Sequence, residues 1–486
     1  MMEDDDQEEL RYTTGSDVEI EEYTDTEEST YPVYQQSDKL FDIDSPCWQN
    51  FIFLITLSIV IVSITASIIS YPLYHESISA ASSAYAGLLF TAFSMTCILG
   101  VICFIVEKIS PPPALIPNSM RIKIPRCSLV KISVIYAFAG ILMNLSLDQN
   151  RVLCHLQDPI KGITLVFSLV YYFIFSRKMM SLQRIFSSTT IIVGLFISVD
   201  YGLCDEFRCR GREVPAHAVT LRGTWGIRAV WTVIYVVALA TFALFFTLLE
   251  VHFSNGQRNN CRMLSIQNNS FLYTVSRLVS SRDIRRRGSE EEGGRLLHVT
   301  DPDPTIKQKH YPKPPVLKTL FHIHVVAFIV ILAFSWIDTV PGIGRGLSPN
   351  DLYKTIVHGF KCHFWGGTTC SNVANHGWIF IFSYTVFFIS SVNFLEMCES
   401  AVFTVAAMST SLPLTGIWWS IYKMDIDANK AMIIWSPGVT GELICALLGL
   451  PIVLLGLGLL VRSHFRDCQQ NYQKITPDLH RDICQR

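Results

Sequence analysis

The sequence predicts an all-α membrane protein in which about ten transmembrane helices form two inverted five-helix repeats. Half of the 486 residues are hydrophobic and 16% are charged, and the mean hydropathy is +0.33. The apolar residues come in long blocks, as a bilayer requires of a helix that crosses it. A basic connection at 252–317 separates two groups of blocks, which suggests the internal duplication common in secondary carriers.

Ten apolar segments approach the length of about 20 residues that a helix needs to cross the hydrocarbon. They are 51–71, 84–106, 130–147, 159–176, 185–203, 226–249, 318–340, 377–397, 400–421 and 431–461. The fourth, fifth and ninth segments give the weakest signals, because they are short or carry polar residues.

Charged residues are concentrated outside these segments. Residues 1–50 hold sixteen acidic residues against Arg11 and Lys39, which predicts a disordered tail. The chain then divides into this tail, a first half with six helices at 51–251, the basic connection at 252–317, a second half with four helices at 318–461 that includes a lumenal loop at 341–376, and a tail at 462–486. Because Lys and Arg favour the cytosolic side, both termini are expected in the cytosol, although the Arg-containing loop at 204–225 breaks this rule.

Amide and carboxylate groups inside the predicted helices are the candidate binding residues. Such groups cost about 2.5 to 3.5 kcal/mol on insertion scales, so they usually face a cavity or a partner. The candidates are Asn144, Asp158, Asp338, Asn393 and Glu399. Asp158 and Glu399 begin quasi-equivalent helices, where they could bind a cationic substrate or titrate with transported protons. Alternatively, they cap helix N-termini in the headgroup region.

Three further features concern the backbone, the thiols and the C-terminal tail. Pro413 predicts a break in the ninth helix that would free carbonyls to line a site. In an oxidising lumen, Cys362 could pair with Cys370 and Cys204 with Cys209; free thiols are the alternative. Residues 472–475, with Tyr472 and Ile475 at the two ends, match a YxxΦ pattern that sorting adaptors read on endosomal and lysosomal proteins.

No pattern in the chain predicts an enzyme. The sequence has no GxSxG, no HExxH and no phosphate-binding glycine loop. His322 and His324 are two residues apart and point to different faces of a helix, so they make a poor metal site. The expectation is a protein without catalytic residues, metal, cofactor or nucleic-acid partner, whose partners are the lipid bilayer and a small-molecule solute.

The second half resembles a known family. The stretch from Asp351 to Cys362, followed by Gly366, Gly367 and Cys370, is similar to the cysteine-bearing lumenal loop of the chloroquine-resistance-transporter-like proteins. The helices with Asn393 and with Phe403 to Pro413 are similar to the family's next two. This family belongs to the drug/metabolite transporter superfamily. This loop has two cysteines where the family typically has four, and the basic connection is longer than the family's.

The resemblance implies a proton-coupled carrier of cationic peptides, amino acids or drugs in a vacuolar, lysosomal or other internal membrane. Its cavity would lie at the midplane, lined by the first four and the sixth to ninth helices. One alternative is a nucleotide-sugar carrier of the Golgi or endoplasmic reticulum, but its anionic substrate would need midplane cations, and Lys161, Arg177 and Lys178 are the few on offer. Another is a non-transporting receptor or scaffold that works through the acidic tail and basic connection.

Overall fold

The computed structural model describes residues 46–109, 126–148, 151–175, 180–199, 208–213, 225–255, 316–365, 370, 372–427 and 430–484. Residues 1–45 of the acidic tail and most of the basic connection lie outside these residues, as does Cys204. The described part is almost entirely helical, as expected for an all-α membrane protein.

Seven helices form the part of the chain before the basic connection. They are α1 (Pro46–Ala81), α2 (Ala84–Ile109), α3 (Arg126–Leu147), α4 (Cys154–Lys161), α5 (Ile163–Phe175), α6 (Leu182–Ile197) and α7 (Trp225–Asn255). Between α6 and α7, the two-residue strands β1 (Arg208–Cys209) and β2 (Arg212–Glu213) pair antiparallel.

Six helices follow the basic connection. They are α8 (Val316–Ala333), α9 (Pro349–Cys362), α10 (Val373–Cys398), α11 (Ala401–Ser409), α12 (Ser411–Ile421) and α13 (Gly441–Cys484), with a 3₁₀ turn at Ser335–Thr339 after α8. Strands β3 (Tyr422–Asp427) and β4 (Lys430–Trp435) form an antiparallel hairpin between α12 and α13.

The described chain contains nine helical stretches that are long and apolar enough to cross a membrane. Two of them join neighbouring helices, α4 with α5 and α11 with α12. Helix α6, with 16 residues, is apolar but shorter than the rest. The protein is therefore a multi-pass membrane protein, whereas a tenth crossing by α6 and the inverted repeat stay predictions.

Several predicted boundaries were wrong. The first helix does not end at residue 71 but continues past Pro72 to Ala81, and the predicted loop at 341–376 contains α9. Ser348 caps α9 by accepting a hydrogen bond from the Asp351 N–H, and Pro349 follows at the first position, where a missing N–H costs nothing. The tenth segment begins at Gly441, because the apolar run before it is β4, and α13 continues to Cys484 through the predicted tail.

The two ends of the helix bundle can be distinguished from the course of α10 to α12. A disulfide joins Cys362 to Cys370, with an S–S distance of 2.00 Å, directly before α10 begins. We call this side the disulfide end. Helix α10 runs from there to Cys398, and α11 and α12 return to the disulfide end, where they lead into β3. The prediction of the Cys362–Cys370 pair is thus confirmed.

Glycines allow α6 to pack closely against α13. A Cβ atom on Gly449 would lie 2.5 Å from the Gly194 carbonyl oxygen, and one on Gly456 would lie 2.9 Å from the Ser187 carbonyl oxygen. In a bilayer the hydrophobic effect does not drive helices together, because lipid tails are as apolar as the side chains. Helices there commonly associate through small residues that let their backbones approach closely. This contact fixes α6, which is shorter than the nine long apolar stretches, on α13, the longest helix among the described residues.

We expect Gly456→Leu to destabilise the protein by about 1 to 3 kcal/mol, because the new side chain has to displace the α6 backbone. The matched control is Gly458→Leu on the same helix, since a Cβ there would meet no atom within 4 Å. Thermal unfolding of the purified protein in detergent measures both. Equal melting temperatures for the two variants would contradict the close packing.

Candidate functional site

A cavity of about 220 Å³ lies inside the bundle. Its walls come from α1, α2, α3, the α4–α5 stretch, α7, α8, α10 and the α11–α12 stretch. These are the first four and the sixth to ninth of the apolar segments, the same set that the sequence resemblance implies. Helices on both sides of the basic connection therefore contribute to one cavity.

Aromatic side chains form one wall of the cavity. Phe380 stacks on Tyr384 with ring centroids 5.3 Å apart, and Tyr71 lies 5.2 Å from Phe380. The hydroxyl groups of Tyr136 and Tyr384 are 3.1 Å apart and share a hydrogen bond. Because α1, α3 and α10 carry these rings, the wall joins three helices and offers flat apolar surface to a bound molecule.

Polar side chains on two other helices lie among the lining residues. Asn144 on α3 is 5% exposed, and its amide nitrogen makes no hydrogen bond with the described residues. The Nδ1 atom of His324, on α8, lies 3.0 Å from the carbonyl oxygen of Leu320. Since a carbonyl only accepts, Nδ1 carries the proton, and Nε2 of the neutral ring is left as an acceptor. Asn144 was a predicted candidate, whereas His324 was considered only as a metal ligand.

Two of the lining helices are interrupted where they border the cavity. Gly162 separates α4 from α5, and its N–H bonds the carbonyl three residues earlier, at Pro159. Thr410 separates α11 from α12 in the same way, with its N–H bonding Ala407. A Cβ on Gly162 would lie 3.7 Å from the Leu412 side chain, so the two interruptions are close to each other.

The predicted break in the ninth helix is therefore present, but it lies at Thr410, three residues before Pro413. Pro413 itself is buried in α12. Because proline has no N–H, the carbonyl of Ser409 has no helical partner four residues ahead. Ser409 and Ser411, on either side of the break, both line the cavity.

Lys161 brings a charge to the cavity at the first interruption. It lines the cavity, its side chain is 15% exposed, and its ammonium lies 2.5 Å from Oδ1 of Asp158. Arg210, between β1 and β2, is next to this pair: it donates to the Gln157 side chain at 2.8 Å and acts electrostatically on Asp158. Burial lowers the pKa of Arg210, and the carboxylate of Asp158 opposes that shift.

Asp158 and Glu399, predicted as a pair, are at opposite ends of the bundle. Arg210, the neighbour of Asp158, accepts a hydrogen bond from the Met424 N–H just beyond α12. Glu399 is exposed and ends α10 in a left-handed conformation, directly before α11. Between the two sites run α11 and α12, from Ala401 to Ile421, a length of about 30 Å at 1.5 Å per residue.

The remaining predicted residues do not join the cavity. Asn393 is exposed, and Asp338 is buried in the 3₁₀ turn near the disulfide end. The Asp338 carbonyl accepts the N–H groups of Arg345 and Leu347 at 3.1 and 3.4 Å. The Asp338 side chain is also close to the Arg345 guanidinium, whose other neighbour is Asp148.

Two predictions fall on residues that the structure does not describe in full. Cys204 lies outside the described residues, so its pairing with Cys209 is not decided. The Tyr472 to Ile475 pattern lies within the helical α13, but its side chains are outside the described part.

No family model matches the chain, and no curated protein matches its sequence. The function therefore has to be inferred from the cavity. Sequence reasoning considered Lys161 only as one of the few cations available to an anionic substrate, and it assigned no role to Gly162 or Tyr384. A Pro followed three residues later by Gly, inside a segment with an unusually weak apolar signal, was the sequence feature that could have marked the first interruption.

We expect Arg345→Leu to destabilise the fold by about 3 to 5 kcal/mol, because it removes the cation from Asp148, which is 4% exposed. Adding Asp148→Asn should restore part of the loss. The control is Lys318→Leu, which breaks an exposed pair with Glu107 and should cost about 0 to 1 kcal/mol. Denaturation of the purified variants measures the difference, and no recovery in the double variant would contradict the pairing.

Proposed function

We propose that this protein is a secondary carrier of the drug/metabolite transporter type, which moves a small organic solute across an internal membrane. The observation that carries the proposal is the cavity that eight apolar segments surround. Secondary carriers bind their substrate between two groups of helices near the middle of the bilayer. The aromatic wall and the polar groups of Asn144 and His324 supply the mixture of apolar and hydrogen-bonding surface typical of such sites.

The interruptions at Gly162 and Thr410 support the same proposal. Broken helices in corresponding positions of two halves are the feature that points best to a carrier's binding site, because unwound backbone can serve a ligand there. Gly162 lies in the fourth apolar segment and Thr410 in the ninth, which are equivalent in two five-helix repeats. A local 3₁₀ step is also a natural hinge for the motion that alternating access needs.

Scaffold or receptor function has less support from the cavity. A protein that works through its tail and basic connection does not need small residues around an internal space. Ala139, Gly140, Ala238 and Ala327 line the cavity, and larger side chains there would fill it with better packing. We therefore attribute the open volume to the passage or binding of a solute. Both termini are taken to be cytosolic, in keeping with the distribution of Lys and Arg.

The proposal is tested by uptake into proteoliposomes under an imposed pH gradient. The panel contains amino acids, short peptides, thiol compounds, cationic drugs and nucleotide sugars. Gly140→Phe should lower the flux of the transported solute at least tenfold, because Gly140 lines the cavity and the nearest atom to its Cβ, in Leu88, is 3.8 Å away. The new ring therefore has room to enter the cavity without forcing the helices apart.

The matched control is Gly226→Phe at the start of α7, where a Cβ meets nothing within 4 Å and the residue is exposed. Wild-type flux in Gly226→Phe and loss in Gly140→Phe would support a carrier that uses this cavity. Absence of flux for the whole panel would favour the scaffold alternative. Selective flux of nucleotide sugars would favour a carrier of the secretory pathway.

A further inference from the structure

The charged side chain on the cavity wall is that of a lysine and not that of an acid. Among the described residues that line the cavity, Lys161 is the one Lys or Arg, and none of them is Asp or Glu. Asp158, which the sequence suggests for recognition of a cation, is not among the lining residues. A cationic solute would meet an ammonium group and no carboxylate, whereas an acid would meet a cation in a mostly apolar space, where their attraction is strong.

Lys161 is also placed to exchange partners. An ammonium group has three donors, and a hydrogen bond to Asp158 Oδ1 uses one of them. Asp158 is also under the influence of the Arg210 guanidinium, which donates a hydrogen bond to the Gln157 side chain. If Lys161 turns to a ligand, Asp158 keeps a cation nearby, so the exchange does not leave an isolated carboxylate in a region of low dielectric constant.

The remaining lining suits an organic body with a flat apolar part. Phe380 and Tyr384 stack with centroids 5.3 Å apart, and Tyr71 continues this row of rings 5.2 Å from Phe380 at an interplanar angle of 54°. This surface takes up planar or apolar groups with little loss of conformational entropy, because its rings are already packed against one another. Lys161 therefore supplies charge recognition, and the aromatic wall supplies most of the contact area.

We propose that Lys161 binds the carboxylate of an organic acid with a planar apolar part, and that Asp158 occupies the place of this carboxylate when the cavity is empty. The proposal deepens the carrier function above and rests on the same cavity. It makes Asp158 an internal competitor of the substrate. Removal of Lys161 and removal of Asp158 should then change the affinity in opposite directions, which a purely structural ion pair would not do.

The test uses three probes with the same body and different charge: indole-3-propionate, 3-ethylindole and tryptamine. Equilibrium dialysis of the full-length protein in detergent should give tightest binding for the acid. Lys161→Gln should weaken binding of the acid at least tenfold and leave 3-ethylindole unchanged. Lys161→Arg should retain the preference, and Asp158→Asn should bind the acid at least threefold more tightly than wild type.

The control is the exposed pair Lys318 and Glu107, where Lys318→Gln and Glu107→Gln remove the same charges outside the cavity and should change no affinity. Tryptamine binding more tightly than the acid would overturn the proposal, and so would an equal loss of acid binding in Lys161→Gln and Asp158→Asn. Wild-type protein that binds none of the acid at millimolar concentration also overturns it. The first and last of these outcomes need no variant, so they hold even if Lys161→Gln fails to fold.

Uptake of the same probes into proteoliposomes separates this proposal from the carrier function. Binding of the acid without flux would support the Lys161 site and overturn transport. Tryptamine flux that Lys161→Gln leaves unchanged would support transport and overturn the acid site. Flux of indole-3-propionate that Lys161→Gln suppresses and Lys161→Arg retains is the result expected from both proposals.

Discussion

A polar group that enters the bilayer must find its partner within the protein, and most polar contacts in the structure follow from this constraint. Along the crossing helices, hydroxyl groups donate to the carbonyl one turn earlier, as Ser67 does to Ser63 at 2.8 Å and Thr91 to Gly87 at 2.9 Å. Charged side chains need a charged or strongly polar partner, because burying an unpaired ion in the bilayer costs far more free energy than burying a hydroxyl group. Several gather at the disulfide end, where Arg345 holds the backbone of Ser79 and Ser82 beside Asp148.

The different needs of apolar, hydroxyl and charged side chains explain which residues line the cavity. Apolar and aromatic residues can line an internal space at little cost, so they supply most of its surface. Asn144 and His324 each keep a polar atom without a partner among the described residues, which packing alone does not account for. The ammonium of Lys161 at the cavity is compensated by the carboxylate of Asp158, which also lies under the influence of Arg210. The constraint thus allows a cation on the cavity wall because a carboxylate lies beside it.

The interruptions at Gly162 and Thr410 link the fold to the proposed motion. Each replaces a normal helical hydrogen bond with one to the residue three positions back, so the backbone is locally tighter and easier to bend. Because Gly162 lies close to Leu412, the proposed motion would bring a bend in one stretch to the part of the cavity wall beside the other. The packing of α6 on α13 lies outside this region, since neither helix lines the cavity. Those two helices stabilise the bundle and leave the others free to define the site.

The sequence by itself determined the class of protein and suggested the Cys362–Cys370 pair, because long apolar runs and short cysteine spacings are local properties. It also indicated which segments surround the cavity, through resemblance. Tertiary structure decided the rest. The apolar residues 431–435 pair as β4 with β3, which composition did not distinguish from a helix start. Asp158 and Glu399 have similar positions in the sequence, yet the length of the α11–α12 stretch separates them, and Lys161 is the charged residue that lines the cavity. The reason is that the course of the backbone, and not residue type, sets which groups meet.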